Sequence, residues 1–316
     1  MSEQNRTLTE AIRFFADRQH CIDTVAAMRW IGGKPVCPNC GKMDHYWLAT
    51  QARWKCKACA KQFSVKVGTV FEDSPLSLDK WLIALWMLVN CKNGISSYEV
   101  ASTVGVTQKS AWFMLQRLRK VLQDSSNTKL DGTIEVDESF IGGKSRNMHR
   151  KRSNKVMARA NKGKTVVIGL LERGGQVRTA VIPDRQKPLV QGIVRENVET
   201  GAEVITDEFG GYLGLDTDYA HNVINHAVQY VQGHVHTNGL ENFWSLVKRS
   251  LGGTYVSVAP FHLFRYLDEQ AFRWTWRSTK KRKLSNMERF AIALSQIAGK
   301  RLTFAEVTGQ VSGAGV

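Results

Sequence analysis

Thr133-Ile134-Glu135-Val136-Asp137-Glu138-Ser139-Phe140 is a β-branched run that reads as a strand and yet carries three carboxylates. A buried strand has no use for that charge, because a desolvated carboxylate needs a partner, a proton or a metal. Two later stretches share the character. Ala202-Glu203-Val204-Ile205-Thr206-Asp207-Glu208 is a second strand-like run ending in acids, and Asn238-Gly239-Leu240-Glu241-Asn242-Phe243-Trp244 opens a helical pattern with an acid in its first turn. The expectation is that Asp137, Asp207 and Glu241 meet in space as a hard-oxygen donor set for Mg²⁺ or Mn²⁺.

Between the first two stretches, Thr165 to Leu171 and Val177 to Ile182 flank Glu172-Arg173-Gly174-Gly175-Gln176, a hairpin signal, and a helical pattern runs from Pro188 to Asn197. Three strands in a meander, a helix and a fourth strand is the order of a ribonuclease-H-like α/β fold. Its first and fourth strands lie side by side and parallel, which brings Asp137 to Asp207. In the third stretch Glu241 and Lys248 stand two helical turns apart on one face, opposite an apolar stripe of Leu240, Phe243, Val247 and Leu251. A carboxylate for metal and an ammonium for phosphate on one edge is chemically sensible, although such a pair alone is commonplace on amphipathic helices.

Residues 144–164, directly after the Asp137 strand, carry nine Lys and Arg, Arg150, Lys151 and Arg152 among them, and no acid. The run reads as a basic loop leading a phosphate backbone toward the acids, or as a solvated charge run. Upstream, Cys37-Pro38-Asn39-Cys40 and Cys56-Lys57-Ala58-Cys59, separated by fifteen residues, have the spacing of four thiolates around tetrahedral zinc on a β-hairpin arm. Cys21 and Cys91 sit in apolar helical contexts and read as core thiols. Residues 7–31 show one helical pattern, opened by a Thr7–Glu10 capping box and ended by Gly32-Gly33.

Ser96 to Leu115 reads as a short helix, a turn at Gly105 and a second helix capped by Thr107. This is either a helix-turn-helix, with Gln108, Lys109 and Trp112 near DNA and Arg117, Arg119 and Lys120 extending a basic face, or an ordinary helical hairpin. His221, His226, His234 and His236 fit no metal spacing and read as polar site or core residues. Phe261 to Arg277 forms another amphipathic helix, followed by the basic run Lys280-Lys281-Arg282-Lys283.

The whole chain of 316 residues has 44 Lys and Arg against 28 Asp and Glu, a net charge of +16, which points to a polyanionic partner such as double-stranded DNA. No apolar run is long enough for a membrane span, and the N-terminus is polar, so the expected location is the bacterial cytoplasm at the nucleoid.

In combination these features resemble the insertion-sequence DDE transposases of the ISXO-like type. The resemblance rests on the two cysteine pairs with Phe63-Ser64 and Gly68-Thr69, on Val136-Asp137-Glu138 with Ile141-Gly142-Gly143-Lys144, and on Val167-Ile168-Gly169 with Glu172-Arg173. It continues through Thr206-Asp207, His236 to Trp244, Lys248-Arg249, Gly253-Thr254-Tyr255 and Tyr266-Leu267-Asp268-Glu269 with Phe272-Arg273. It implies a multidomain chain: a helical segment at 1–34, a zinc ribbon at 35–70, a helix-turn-helix at 71–125, a ribonuclease-H-like DDE domain at 130–256 with the basic loop 144–164, and a C-terminal helical segment at 257–316. It further implies cleavage at terminal inverted repeats and joining of the 3′ ends to target DNA, by a homo-oligomer of two or more copies. Asp137, Asp207 and Glu241 would hold two Mg²⁺ or Mn²⁺ ions, with Asn238 as the alternative third ligand. Lys248 would position phosphate, and Gln108, Lys109, Arg117, Arg150, Lys151, Arg152, Lys248 and Arg249 would touch DNA. The alternatives are a nuclease of the same fold that cuts without joining, and a silent transposase-derived DNA-binding regulator.

Overall fold

Residues 7–124, 126–143, 163–224, 235–280 and 282–310 are described by the computed structural model, in which the chain forms two compact units, 1–123 with 276–316, and 124–275. The helical stretch expected over 7–31 is two helices, α1 (Leu8–Phe15) and α2 (Arg18–Arg29). Asp17 divides them: its backbone is extended and its carboxylate accepts the N–H groups of Gln19 and His20 at 2.7 and 3.0 Å, which starts a new helix. Cys21 lies in the core, its thiol pushed up to about 12 by burial.

The cysteine-bearing arm is a three-stranded antiparallel sheet of β1 (His45–Leu48), β2 (Arg53–Cys56) and β3 (Gln62–Phe63). So small a sheet cannot bury a core of its own. It rests instead on a ring cluster in which Trp54 meets Trp30 at 5.4 Å and Phe63 at 5.8 Å. The centre of this unit is α3 (Leu78–Asn90), apolar on nearly every side and buried from Trp81 through Val89. Two helices follow, α4 (Ser97–Val104), opened by the Ser96–Glu99 capping box and closed by left-handed Gly105, and α5 (Gln108–Leu122), capped by Thr107.

The second unit is built on a five-stranded sheet of β4 (Thr133–Ile141), β5 (Thr165–Glu172), β6 (Val177–Ile182), β7 (Glu203–Asp207) and β8 (Ala220–Ile224), in the order β6-β5-β4-β7-β8. The pairs β4–β5 and β5–β6 are antiparallel, whereas β4–β7 and β7–β8 are parallel. One face, with Ile134, Val136, Ile168 and Val204, is covered by α6 (Lys187–Asn197) and by Tyr212, Leu215 and Tyr219. On the other face Val167, Leu171 and Val177 pack against α7 (Asn238–Gly253) and α8 (Leu263–Thr275). Both faces are thus filled by the period-two alternation of the strands, and the exceptions include acids within β4, Glu135, Asp137 and Glu138, and at the end of β7, Asp207.

The segment expected as one C-terminal helical piece, 257–316, is divided between the units. Its α8 carries a buried Glu269–Arg273 ion pair, joined by the Tyr255 hydroxyl, and stays with the sheet. From Trp276 onward the chain belongs to the first unit, where α9 (Asn286–Ser295) places Phe290 against Phe15 and Trp86 at 5.5 and 5.4 Å. A last short helix, α10 (Phe304–Thr308), lays Phe304 edge-on to Phe113 of α5 at 5.5 Å. The reason lies in partner choice: α8 and α9 are both amphipathic, and amphipathicity does not encode which surface the apolar face will meet. Among the described residues no helix is long and apolar enough to cross a membrane.

Candidate active site and zinc centre

The parallel register pairs Thr133 with Glu203, Ile134 with Val204 and Glu135 with Ile205. Carried two residues further, the same offset puts Asp137 level with Asp207, on the face that α7 covers. Burial first, then the charges of Glu138 and Asp207, and in smaller measure that of Glu241, push the Asp137 carboxyl up to about 7. Asp207 also accepts the N–H of Phe209 at 3.1 Å, which turns the chain away from the strand end. Glu241 is exposed in the first turn of α7 and accepts from the Thr237 hydroxyl at 3.3 Å. Asn238, Lys248 and Arg249 are likewise exposed on α7. The charges of Asp207 and Glu241 reach Asp137, but among the described residues these three carboxylates do not form a ligand cluster as close as that of the cysteines.

Glu135, two residues before Asp137 on the same face, is 1% exposed and does work that its sequence position alone does not reveal. Its carboxylate accepts from Arg173 Nε at 2.8 Å and from the backbone N–H of Leu240 at 2.9 Å. Arg173 in turn donates to His236 at its carbonyl, 2.7 Å, and at Nδ1, 3.0 Å. Because a guanidinium can only donate, Nδ1 holds a lone pair and the ring proton sits on Nε2. His236 Nδ1 also lies 3.6 Å from Glu135 Oε1, but the arginine contact is closer and sets the tautomer. The only hint of this clasp in the sequence was an acid at the i−2 position from Asp137.

On the opposite face, the Tyr212 hydroxyl donates to Glu138 and the Arg185 guanidinium lies 3.7 Å from it. Burial raises the Glu138 carboxyl and the Tyr212 bond counters it. Arg185 is also stacked over Phe209 and Phe140, 4.4 and 5.0 Å from the ring centres. Gly169 faces Asp137 across the β4–β5 pair, and a Cβ there would stand 2.6 Å from the Trp244 ring and 3.0 Å from Leu240. A bare backbone at this position lets α7 lie close against the sheet.

In the first unit the sulfurs of Cys37, Cys40, Cys56 and Cys59 all lie within 4.8 Å of one another, the only group of three or more candidate ligands so close among the described residues. The separations Cys37–Cys59 at 3.6 Å and Cys40–Cys56 at 3.5 Å approach the roughly 3.8 Å expected for thiolates around tetrahedral zinc. The knuckles repeat each other: Cys37 N–H donates to the Lys42 carbonyl and Cys56 N–H to that of Lys61, with Gly41 and Ala60 at φ +71 and +59. The Lys61 N–H donates to the Cys59 sulfur and is the chief cause of its thiol being lowered, while desolvation and hydrogen bonds from the other three sulfurs leave the Cys40 thiol raised, so the four sulfurs titrate together.

The other sequence-predicted DNA contacts divide. Gln108 donates to the Ser97 hydroxyl at 2.8 Å, and exposed Lys109 lies 5.2 Å from the Phe304 ring centre. Arg117 and Arg119 do not extend a basic face: they are 5% and 1% exposed, and Arg117 donates to the Glu72 carbonyl at 2.6 Å beneath Trp81. Burial lowers the Arg117 pKa, and its stem serves as core. Lys120 donates to the Arg301 carbonyl. Arg150, Lys151 and Arg152, with 144–162 of the basic loop, lie outside the described residues, as do His226 and His234. His221 accepts from or donates to the Thr206 hydroxyl at 2.9 Å, a structural contact.

Residues 129–275 match the ISXO2-like transposase domain, and residues 17–62 match the transposase zinc-ribbon domain. The chain is 28% identical over 271 residues to a protein in transposable element ISH50 of Halobacterium salinarum, spanning 81% of this chain and 90% of that protein. It is 34% identical over 100 residues to a transposase-like protein of Haemophilus influenzae, spanning 31% of this chain and 80% of that one. A zinc ribbon followed by a mixed α/β unit, matched in that order by the two domain families, identifies the chain as a member of the ISXO2-like transposase family, to which it belongs.

Proposed function

We propose that the protein cleaves DNA at the terminal inverted repeats of its element and joins the freed 3′ ends to target DNA, with Asp137, Asp207 and Glu241 as the acids that carry the reaction. One observation supports this most: the parallel β4–β7 register, which pairs Glu135 with Ile205, would bring Asp137 opposite Asp207 if carried two residues further, and the charges of Asp207 and Glu241 both act on Asp137. The strand order β6-β5-β4-β7-β8, antiparallel on one side of β4 and parallel on the other, supports a ribonuclease-H-like reading of the unit.

The donor set fits Mg²⁺ or Mn²⁺, because the candidate ligands are hard carboxylates and Asp137 ionises reluctantly beside its acidic neighbours. When bound, such ions activate the attacking water or 3′-hydroxyl and stabilise the leaving oxygen. Asp137 and Asp207 would bind from adjacent strands and Glu241 from the helix. Asn238, one turn earlier on α7, is the alternative third ligand. Lys248 and Arg249, exposed two turns beyond Glu241, would bind the phosphate backbone, and the sheet and α7 would orient it. The zinc ribbon, together with α4 and α5 as a helix-turn-helix entered by Gln108 and Lys109, would hold the terminal repeat. Two ends cut and joined together call for at least two copies of the chain, acting at the bacterial nucleoid.

The test is a strand-transfer assay on inverted-repeat ends in Mg²⁺, comparing the wild type with Asp137→Asn. Joining that the substitution abolishes supports the reading. Cutting without joining would make the protein a nuclease, and end binding without either a regulator.

A further inference from the structure

We infer that Glu135, gripped by Arg173 and the Leu240 amide, is a positioning residue that sets the N-terminus of α7, and hence Glu241, against the strand that carries Asp137. This rests on the reading of Asp137, Asp207 and Glu241 as the metal-holding acids. The observations come from three directions. Glu135 is fully buried and on the Asp137 face, about 7 Å along the strand from it. One carboxylate oxygen takes the Leu240 N–H, an orphan donor of the first helical turn, at 2.9 Å, and the other takes Arg173 Nε at 2.8 Å. Arg173 then reaches the His236 carbonyl at 2.7 Å, so strand, hairpin and the approach to the helix are tied into one ring of hydrogen bonds.

Gly239 shows how close the approach is. A Cβ there would stand 2.8 Å from Glu135 Oε2, and the carboxylate cannot yield without giving up Leu240 or Arg173. The next residue but one is Glu241, whose own N–H continues the helix to the Thr237 carbonyl at 3.0 Å. A rigid helix start therefore transmits the Glu135 contact to Glu241 within a single turn. Loosening the clasp should weaken metal binding even though Glu135 itself ligates nothing, as loss of outer partners does in other metal sites, typically by 10- to 100-fold.

The experiment measures Mn²⁺ affinity of the full zinc-loaded chain without DNA, by electron paramagnetic resonance, alongside hydrogen exchange at residues 238–241 and thermal unfolding. Two variants are compared with the wild type, Glu135→Gln and Gly239→Ala. The second adds a good helix former and removes no charge, so a purely structural role predicts unchanged or higher helix stability and unchanged metal affinity. The positioning role predicts about tenfold weaker Mn²⁺ binding in both variants and faster exchange at the Leu240 amide, with both variants still folded at the temperature of the binding measurement. Wild-type Mn²⁺ affinity in both variants overturns the inference, whatever the exchange rates do. A wild type that binds Mn²⁺ more tightly than both variants but never joins DNA ends would count against the proposed reaction and leave the clasp standing, so the two readings fail separately.

Discussion

Glu135 pairs with Ile205 across the parallel β4–β7 ladder, two residues before Asp137 and Asp207, and the charge of Asp207 reaches Asp137 although 70 positions of chain separate the two acids. The register is held from below by Thr133, whose hydroxyl donates to Glu203 at 2.7 Å, and by Asn222, which donates to the same carboxylate at 2.9 Å. If these acids carry the chemistry, Asp137→Asn or Asp207→Asn should each cut strand transfer by about a thousandfold or more, a loss of roughly 4 kcal/mol of transition-state stabilisation. A gel-shift assay on terminal-repeat DNA should show binding largely retained, since neither side chain belongs to the zinc-bearing unit.

Asp137 sets a pH dependence of stability. In the Mg²⁺-free fold the Asp137 carboxyl sits at about 7 against an ordinary 3.8, so the fold favours its protonated form. That contribution is fully present below the ordinary value and is lost as pH rises through about 7; the span caps it at about 4 kcal/mol. Asp137→Asn should therefore raise the unfolding temperature at pH 8 more than at pH 5, in buffer free of Mg²⁺ and of chelators that would strip zinc. Added Mg²⁺ should stabilise the wild type at pH 8 and leave the variant nearly unchanged. An equal effect of the substitution at both pH values would contradict this.

Gly169 carries a packing prediction. Gly169→Ala would drive a methyl into the Trp244 ring and Leu240, and overpacking of this kind costs about 1–3 kcal/mol. Thermal unfolding should show the second unit melting several degrees lower, with the loss accompanied by weaker Mn²⁺ binding because the same movement lifts α7 from Asp137.

At the zinc knuckles, Ala60 holds the left-handed backbone that Gly41 holds in the other knuckle, at φ +59 against +71. Replacing Ala60 with glycine removes a strain of roughly 1 kcal/mol while adding some freedom to the unfolded chain. Denaturant titration should find Ala60→Gly stabilising by up to about 1 kcal/mol.

Chelation offers a coarser check of the same centre. Elemental analysis should return about one zinc per chain, and Cys37→Ser or Cys56→Ser should abolish it. The ring cluster of Trp30, Trp54 and Phe63 should then loosen, seen as a change in tryptophan emission, because the ribbon is too small to stay folded on apolar burial alone.

Much of this molecule was legible in the chain because the signals are local. Two CxxC pairs, a hairpin between Glu172 and Gln176, the Thr7 and Thr107 caps, and two strand-like runs that carry acids all follow from contacts within a few residues, and the structure has elements at each of them. Tertiary structure alone decided three things. It buried Arg117 and Arg119, whose long stems serve α5 as core while their heads find partners, something a count of basic residues on a helix cannot foresee. It sent α8 to the sheet and α9 to Phe15 and Trp86, although both helices carry the same kind of apolar stripe. And it made Glu135 the anchor of α7, since the partners of that carboxylate, Arg173 and Leu240, lie 38 and 105 positions away and are met only once the sheet has closed. Periodicity tells each segment which face to hide; the identity of what hides it is settled by packing among distant parts of the chain.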